Sequence, residues 1–279
     1  MESKILLAEV FEDTQRFYSE NQTLIQAVED SRKRTWIFAP EAVPEIRIDP
    51  DRAGHISVTR HKTFEAAIGV HSKRPQDRIA VLNFASAVNP GGGVLHGSRA
   101  QEESLCRCST LYPTLNQKIC WDKYYSPNRA AHDSLYSDAL IYSPDVLIIK
   151  TDDGFYERLP ESKFVKVDVI SCAAPNLNVQ LCSKQGEHSP GNLDRETQML
   201  LHISRAKHIL AVAAAHDINT LILGAFGCGA FHNDPHAVAD AYRTAVEPYR
   251  RYFDEIEFAI YCSSFETENY QAFCSAFGE

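Results

Sequence analysis

Apolar residues in the first thirty positions recur at a spacing closer to the helical period than to alternation, as at Ile5, Phe11, Leu24 and Val28. This pattern predicts one or two amphipathic helices. A proline-rich passage, residues 40–50, follows and predicts a break in regular structure. We therefore expect a helical N-terminal extension, residues 1–40, and a main domain, residues 41–279.

Strand-like and helix-like runs alternate along the main domain. The predicted strands are residues 46–48, 55–58, 79–85, 139–142, 146–150, 164–173, 220–223 and 256–261. The predicted helices are residues 63–71, 98–111, 194–216, 235–252 and 265–277. This alternation predicts an α/β fold with a mostly parallel or mixed sheet that helices cover on both faces. Ligands bind at the carboxyl ends of the strands in such sheets, so the loops after residues 79–85 and 220–223 are candidate sites.

Both of these loops are rich in glycine: NPGGG occupies residues 89–93, and GAFGCGAF occupies residues 224–231. Glycines at positive φ let backbone N–H groups turn toward an anion such as phosphate. Asp234 and Pro235 predict the start of a helix, whose N-terminus would add positive partial charge to the second loop. Either loop alone is also compatible with a tight strand-to-helix turn without ligand. Neither has the glycine spacing of a Rossmann fingerprint or the lysine of a P-loop, which disfavours a nicotinamide dehydrogenase and a nucleotide kinase.

Two adjacent glutamates, Glu102 and Glu103, follow the first loop. Ser98 and Gln101 form a capping-box pattern that predicts Ser98 as the helix N-cap. Acidic residues near a helix N-terminus are favoured by the helix dipole, which is one explanation of the pair. The other is chemical: a carboxyl group beside a phosphate-type loop is placed to protonate the oxygen that leaves an anomeric carbon. A neighbouring carboxylate raises the pKa of such an acid, whereas the helix N-terminus lowers it.

Composition narrows the function classes. The net charge of −9 over 279 residues argues against a broad nucleic-acid-binding surface. The sequence has no run of eighteen apolar residues, so no membrane-spanning helix is predicted. Acidic residues near the N-terminus interrupt any secretory-type apolar core, so we expect a cytoplasmic protein. The eight scattered cysteines are typical of reduced, buried thiols. A zinc site from Cys106 and Cys108 with His232 or His236 stays open as an alternative.

Four segments then occur together in one order: NFASAVNPGGGVLHGSRAQEESLCRCSTLY, LYSDALIYSPDV, DVISCAAPN and GAFGCGAF. The first segment contains GGG and QEE separated by seven residues. Together the four segments resemble the compact microbial type of poly(ADP-ribose) glycohydrolase, a branch of the macrodomain superfamily. The resemblance extends from about residue 36 to the C-terminus. The resemblance implies a three-layer α/β/α sandwich with a mixed sheet and a helical N-terminal extension. It also implies that Glu103 is the catalytic acid and that Glu102 orients the ribose or the leaving hydroxyl. No metal and no cofactor is implied.

The implied activity is hydrolysis of ribose–ribose O-glycosidic bonds in poly(ADP-ribose), mainly from chain ends, with release of ADP-ribose. The alternatives are a hydrolase of mono-ADP-ribosylated protein or nucleic acid, and a non-catalytic macrodomain that binds ADP-ribose. In the resemblance the diphosphate lies between the two glycine loops, with Asn89 and Phe231 at the distal ribose. The residues expected to contact ADP-ribose are Asn89, Gly91, Gly92, Gly93, Val94, Gln101, Gly224, Gly227, Cys228, Gly229, Ala230 and Phe231.

Two groups of residues keep open assignments. Trp121, Tyr124 and Tyr125 would either stack on adenine or cover the sheet. Asn176 would either contact ligand or cap a turn.

Overall fold

The structure is a computed structural model and describes residues 3–47, 50–186, 188, 190–191, 193–262 and 267–278. The helices are α1 Lys4–Glu20, α2 Gln22–Arg34, α3 Thr63–Lys73, α4 Gln101–Cys108, α5 Leu111–Leu115, α6 Lys118–Cys120, α7 Ser126–Ala131, α8 Val179–Gln185, α9 Arg195–Ala215, α10 Pro235–Val246 and α11 Glu268–Phe277. The strands are β1 Trp36–Phe38, β2 His55–Thr59, β3 Ile79–Phe84, β4 Leu140–Ile148, β5 Val165–Cys172, β6 Thr220–Leu223 and β7 Glu255–Ala259. Short 3₁₀ turns span Val94–His96, Glu161–Lys163 and Arg250–Tyr252, and a π-helical turn spans Trp121–Tyr125.

The strands form a seven-stranded mixed sheet in the order β1-β4-β5-β3-β6-β7-β2. The five strands from β5 to β2 are parallel, and β4 runs antiparallel to both of its neighbours, β1 and β5. The carboxyl ends of β3 and β6 are therefore adjacent at one edge of the sheet. This adjacency brings the two glycine-rich loops together.

Helices cover both faces of the sheet. Ile209 of α9 and Val238 of α10 belong to the buried cluster on one face, whereas Phe11 of α1, Phe64 of α3 and Leu105 of α4 belong to the cluster on the other. The predicted three-layer α/β/α architecture is thus confirmed. None of the described helices is long and apolar enough to cross a bilayer.

The N-terminal segment forms two helices, as predicted, and packs closely on the main domain. Phe11 is 1% exposed, and the buried Nζ of Lys150 lies 2.7 Å from Oδ2 of Asp13 in α1. The segment also contributes β1, which the sequence pattern did not predict, to the edge of the sheet beside β4. The domain boundary at residue 40 stays a prediction. The contacts of Phe11, Asp13 and β1 join the N-terminal segment to the main domain across this position.

Several predicted bounds were wrong. The strands predicted at residues 139–142 and 146–150 are one strand, β4, with a register shift between Ser143 and Val146, where Asp145 has a φ of 55°. Residues 46 and 47 are not in a strand, and Ile48 lies outside the described residues. The helix predicted at 235–252 ends at Val246 and a separate 3₁₀ turn follows. The last helix begins at Glu268, and Phe265 lies outside the described residues.

Candidate active site

The helix that carries the paired glutamates begins later than predicted. Its N-cap is Ala100, with no capping side chain, so the prediction of Ser98 as N-cap was wrong. Gln101, the other half of the predicted capping box, is occupied elsewhere: its Oε1 accepts from the N–H of Phe84 at 2.8 Å. Its Nε2 donates to the carbonyl of Leu82 at 2.7 Å. Gln101 therefore ties α4 to the end of β3, and its contact with ligand stays a prediction.

Glu103 has one anchored and one free carboxyl oxygen. Oε1 accepts a hydrogen bond from the backbone N–H of Gly93 at 2.8 Å. Oε2 is buried and has no hydrogen-bond partner among the described residues. The side chain is only 7% exposed. A carboxyl group held in this way presents one oxygen, Oε2, for proton transfer to a ligand.

Glu102 is held more completely. Its Oε2 accepts from the N–H of Ser86 at 2.8 Å, its Oε1 accepts from Nδ2 of Asn83 at 3.3 Å, and the backbone of Gly91 also donates to it. Burial, followed by the nearby Glu103 carboxylate, raises the pKa of Glu102 to about 8, although these hydrogen bonds oppose the shift. The hydrogen bonds from Ser86 and Asn83 hold both carboxyl oxygens of Glu102, and its role in orienting the ligand stays a prediction.

The backbone N–H groups of the glycine triplet are hydrogen-bonded within the protein. The N–H groups of Gly91 and Gly93 donate to Glu102 and Glu103, and the N–H of Gly92 donates to the carbonyl of Asn89 at 3.0 Å. The first turn of α4 lies over the loop, and its carboxyl groups accept from these donors. Phosphate binding at this loop stays a prediction. Gly91 and Gly92 have φ values of 67° and 56°, so the triplet still needs glycine.

Three other residues that were predicted to contact ADP-ribose, Val94, Gly224 and Cys228, pack or hydrogen-bond within the protein. Val94 is fully buried. A methyl group on Gly224 would lie 2.9 Å from both the carbonyl oxygen of Ala259 and the ring of Phe84, so that glycine permits close packing at the end of β6. The N–H of Cys228 donates to the carbonyl of Ala225 at 3.2 Å. Direct ligand contact by these three predicted residues stays a prediction.

The second loop, by contrast, keeps free donors. Within the described part of the chain, the backbone N–H groups of Gly227, Gly229, Ala230 and Phe231 have no acceptor. Gly227 has a φ of 81°, as expected where consecutive N–H groups turn toward an anion. Four unpaired donors in one loop at the carboxyl edge of the sheet can bind a phosphate or diphosphate.

The second loop is braced by side chains that the sequence reasoning missed. Nδ2 of Asn233 donates to the carbonyls of Gly227 and Pro175, at 3.0 and 2.7 Å. Oδ1 of Asn233 lies 3.0 Å from Nε2 of His202. Burial lowers the pKa of His202 to about 4, so its ring is neutral and Nε2 carries the proton that it donates. Two features of the sequence could have indicated these residues. Asn233 lies directly before a helix N-cap, and His202 is a polar residue on the apolar face of α9.

Asn83 was missed in the same way, although it interrupts the apolar strand IAVLNFA. It is fully buried, and its Nδ2 also donates to Oγ of Ser171 on β5 at 3.0 Å. A buried amide in the middle of a sheet is costly unless it is hydrogen-bonded. Its position under Glu102 explains why the strand contains one.

Tyr124 and Tyr125 cover the sheet, and Asn176 caps a turn. Tyr124 and Tyr125 are 1% and 0% exposed and cover the sheet, so neither is placed to stack on adenine. Asn176 is buried, and its Oδ1 accepts from the N–H of Asn178 at 3.1 Å, which caps a turn. Trp121 is partly exposed and packs against Arg129.

The two residues expected at the distal ribose lie at the surface of the site. Asn89 is exposed, and its Oδ1 accepts a hydrogen bond from Nη2 of Arg129. Phe231 is partly buried, and its ring centroid lies 6.3 Å from that of Tyr136.

Metal chemistry has no evident centre in this region. Among the described residues there is no group of three His, Cys, Asp or Glu side chains that could hold a metal. Cys106 and Cys108 are buried, and Sγ of Cys108 donates to the carbonyl of Thr151. All eight cysteines are free thiols.

Residues 9–151 match the family model for the microbial-type PARG catalytic domain. The structure is similar to that of poly(ADP-ribose) glycohydrolase from Thermomonospora curvata bound to the inhibitor ADP-HPD, with 30% identity, a TM-score of 0.80 and coverage of 96% of this chain and 98% of that one. It is also similar to the enzyme from Deinococcus radiodurans in complex with ADP-ribose, with 34% identity, a TM-score of 0.75 and coverage of 90% and 96%. A search of curated proteins found no match.

The family match spans half of the chain, and the solved relatives cover nearly all of it. These matches identify the family. The chain belongs to the microbial-type poly(ADP-ribose) glycohydrolases.

Proposed function

We propose that this protein hydrolyses ribose–ribose O-glycosidic bonds of poly(ADP-ribose), mainly from chain ends, and releases ADP-ribose. The observation that supports the mechanism is the buried Oε2 of Glu103, which has no hydrogen-bond partner among the described residues. The neighbouring strand β6 leads into a loop with four N–H groups that also lack an acceptor there. Relatives with 30% and 34% identity have been solved with the inhibitor ADP-HPD and with ADP-ribose bound, which supports the same ligand here.

The proposed reaction has two proton transfers at Glu103. The protonated carboxyl group gives its proton to the 2′ oxygen of the departing unit as the bond from that oxygen to the anomeric carbon breaks. The positive charge that develops on the distal ribose is then quenched by water, whose proton returns to the Glu103 carboxylate. The net change is the addition of one water, and Glu103 ends protonated as it began.

The other predicted residues surround this step. Glu102 orients the ribose or the leaving hydroxyl, and the N–H groups of the second loop that have no acceptor among the described residues bind the diphosphate. Asn89 and Phe231 contact the distal ribose. A cytoplasmic location is part of the proposal, and eight free thiols, five of them buried, support it.

The experiment is release of free ADP-ribose from a poly(ADP-ribosyl)ated protein by the wild type and by Glu103→Gln. The substitution keeps the size of the side chain and removes its acid, so release should fall by about 10²- to 10⁴-fold while ADP-ribose still binds. Glu29→Gln, at an exposed glutamate of α2 whose side chain is 57% exposed, is the matched control and should keep the wild-type rate. An unchanged rate in Glu103→Gln would contradict the assignment of the acid.

The products and substrates separate the alternatives. Mainly monomeric ADP-ribose from long chains supports cleavage from chain ends, whereas early oligomers would indicate internal cleavage. Release only from mono-ADP-ribosylated protein would indicate a mono-ADP-ribosyl hydrolase. Binding without release from either substrate would indicate a reader.

A further inference from the structure

Arg129, an exposed residue of α7, is held on three sides. Its Nε donates to the carbonyl of Val88 at 2.7 Å, and its Nη2 donates to Oδ1 of Asn89. The guanidinium also lies over the ring of Trp121, with its central carbon 4.7 Å from the ring centroid. A fork of donors with a stacked face is an arrangement that arginine makes and lysine does not.

The groups behind Arg129 are themselves fixed. Nε1 of Trp121 donates to Oδ1 of Asn116 at 2.9 Å. The π-helical turn that begins at Trp121 ends at Tyr125, which is fully buried, and α7 follows directly. Arg129 is therefore held by anchored neighbours where it contacts Val88 and Asn89.

This contact decides which end of the Asn89 amide faces outward. A guanidinium has only donors, so the amide atom that it contacts must be the oxygen. The Nδ2 group is then the end of the exposed Asn89 amide that Arg129 does not hold, and its two N–H donors are available to another group. Without Arg129, the amide would be free to rotate, and either end could face a ligand.

We propose that Arg129 is a positioning residue that fixes the Asn89 amide with Nδ2 toward the ligand, so that position 89 recognises the distal ribose as a hydrogen-bond donor to a hydroxyl oxygen. The inference rests on the proposed function, in which Asn89 contacts the distal ribose. It assigns to Arg129 a share in ribose recognition that depends on geometry rather than on charge.

Charge alone predicts a different pattern. The substrate is a polyanion, and an exposed arginine near it strengthens binding of any diphosphate, with a dependence on salt. A positioning residue affects ligands that carry the distal ribose and leaves ADP, which lacks that ribose, unchanged. The two roles are therefore distinguished by comparing ADP-ribose with ADP.

The experiment measures binding of ADP-ribose and of ADP by calorimetry for the wild type, Arg129→Leu, Asn89→Ala and the double variant. Arg129→Leu should weaken ADP-ribose about 5- to 10-fold, the range for one lost hydrogen bond, with ADP unchanged. In the Asn89→Ala background the same substitution should add nothing, because both residues act through one amide. Lys123→Leu is the control for charge: Lys123 is an exposed cation of the π-helical turn before α7 and lies over Trp36, and its loss should leave the ADP-ribose affinity unchanged.

Arg129→Lys keeps the charge without the fork and tests the same point in a second variant. It should also weaken ADP-ribose selectively, and this loss should persist at higher salt. Equal weakening of ADP and ADP-ribose, full affinity in both Arg129 variants, or losses that add in the double variant would overturn the positioning role. Failure of the wild type to bind ADP-ribose would instead overturn the proposed function.

Discussion

The carboxyl groups of Glu102 and Glu103 meet at one glycine, Gly92. A methyl group at that position would lie 2.5 Å from Oε1 of Glu103 and 3.0 Å from Oε2 of Glu102. Adjacent residues of a helix point about 100° apart, so the pair reaches the loop from two sides. The glycine triplet therefore serves the acids directly, because its backbone binds them and its missing side chains leave room for them.

Gly92→Ala should consequently impair catalysis more than folding. The added methyl group must displace the Glu103 carboxylate, and the φ of 56° disfavours alanine as well. We expect the release of ADP-ribose to fall by about 10- to 100-fold, since a displacement near 1 Å in a catalytic group has costs of that order.

Gly69→Ala in α3 is the matched control for this substitution. A methyl group there meets nothing within 4 Å, and no positive φ is involved. Wild-type turnover by Gly92→Ala, with its fold intact, would show that the carboxyl groups can move without loss of function.

Glu102→Gln should change how stability depends on pH. Burial and Glu103 raise the pKa of Glu102 from 4.5 to about 8, so its protonated form stabilises the folded state. This contribution is fully present below pH 4.5 and is lost as pH rises toward 8. Across that interval the wild type should lose up to about 1.4 kcal/mol of unfolding free energy per pH unit relative to the variant.

Denaturant unfolding of both proteins at several pH values between 4.5 and 8 checks this prediction. Glu29→Gln again controls for the loss of an exposed carboxylate. Parallel stability curves for the wild type and Glu102→Gln would mean that Glu102 titrates alike in the folded and unfolded states.

Gly97→Ala should loosen the contact between α1 and the turn that ends at Gly97. A methyl group at Gly97 would lie 1.9 Å from the carbonyl oxygen of Lys4, and the φ of Gly97 is 69°. Gly186 has a similar φ of 72° but nothing within 4 Å, so Gly186→Ala carries the backbone strain alone. Gly97→Ala should lower the free energy of unfolding by about 1–3 kcal/mol more than Gly186→Ala does.

Chemical denaturation of the two alanine variants measures this difference, and hydrogen exchange should locate the change at the start of α1. If the two variants lose equal stability, the contact between Lys4 and Gly97 yields without cost. Since Oγ1 of Thr14 in α1 also donates to the carbonyl of Arg107 at 2.6 Å, we expect slower turnover in Gly97→Ala as well.

Local patterns were enough for the regular elements. The strands β3 and β6 match the predicted apolar runs, and α10 starts after the predicted signal of Asp234 and Pro235. Helix period, strand composition and capping are interactions between near neighbours in the chain, so they can be deduced from sequence. By contrast, β1 has only three residues and becomes a strand only by pairing with β4.

The sequence by itself determined the family, the two glycine loops and the pair of carboxyl groups, because each is a run of consecutive residues. Only the tertiary structure decided which groups remain free. The N–H groups of Gly91 and Gly93 donate to Glu102 and Glu103. In the part of the chain that the structure describes, four N–H groups of the second loop and one oxygen of Glu103 have no partner. Hydrogen-bond partners depend on which segments the fold brings within about 3 Å of each other, and that distance is set by packing rather than by spacing along the chain.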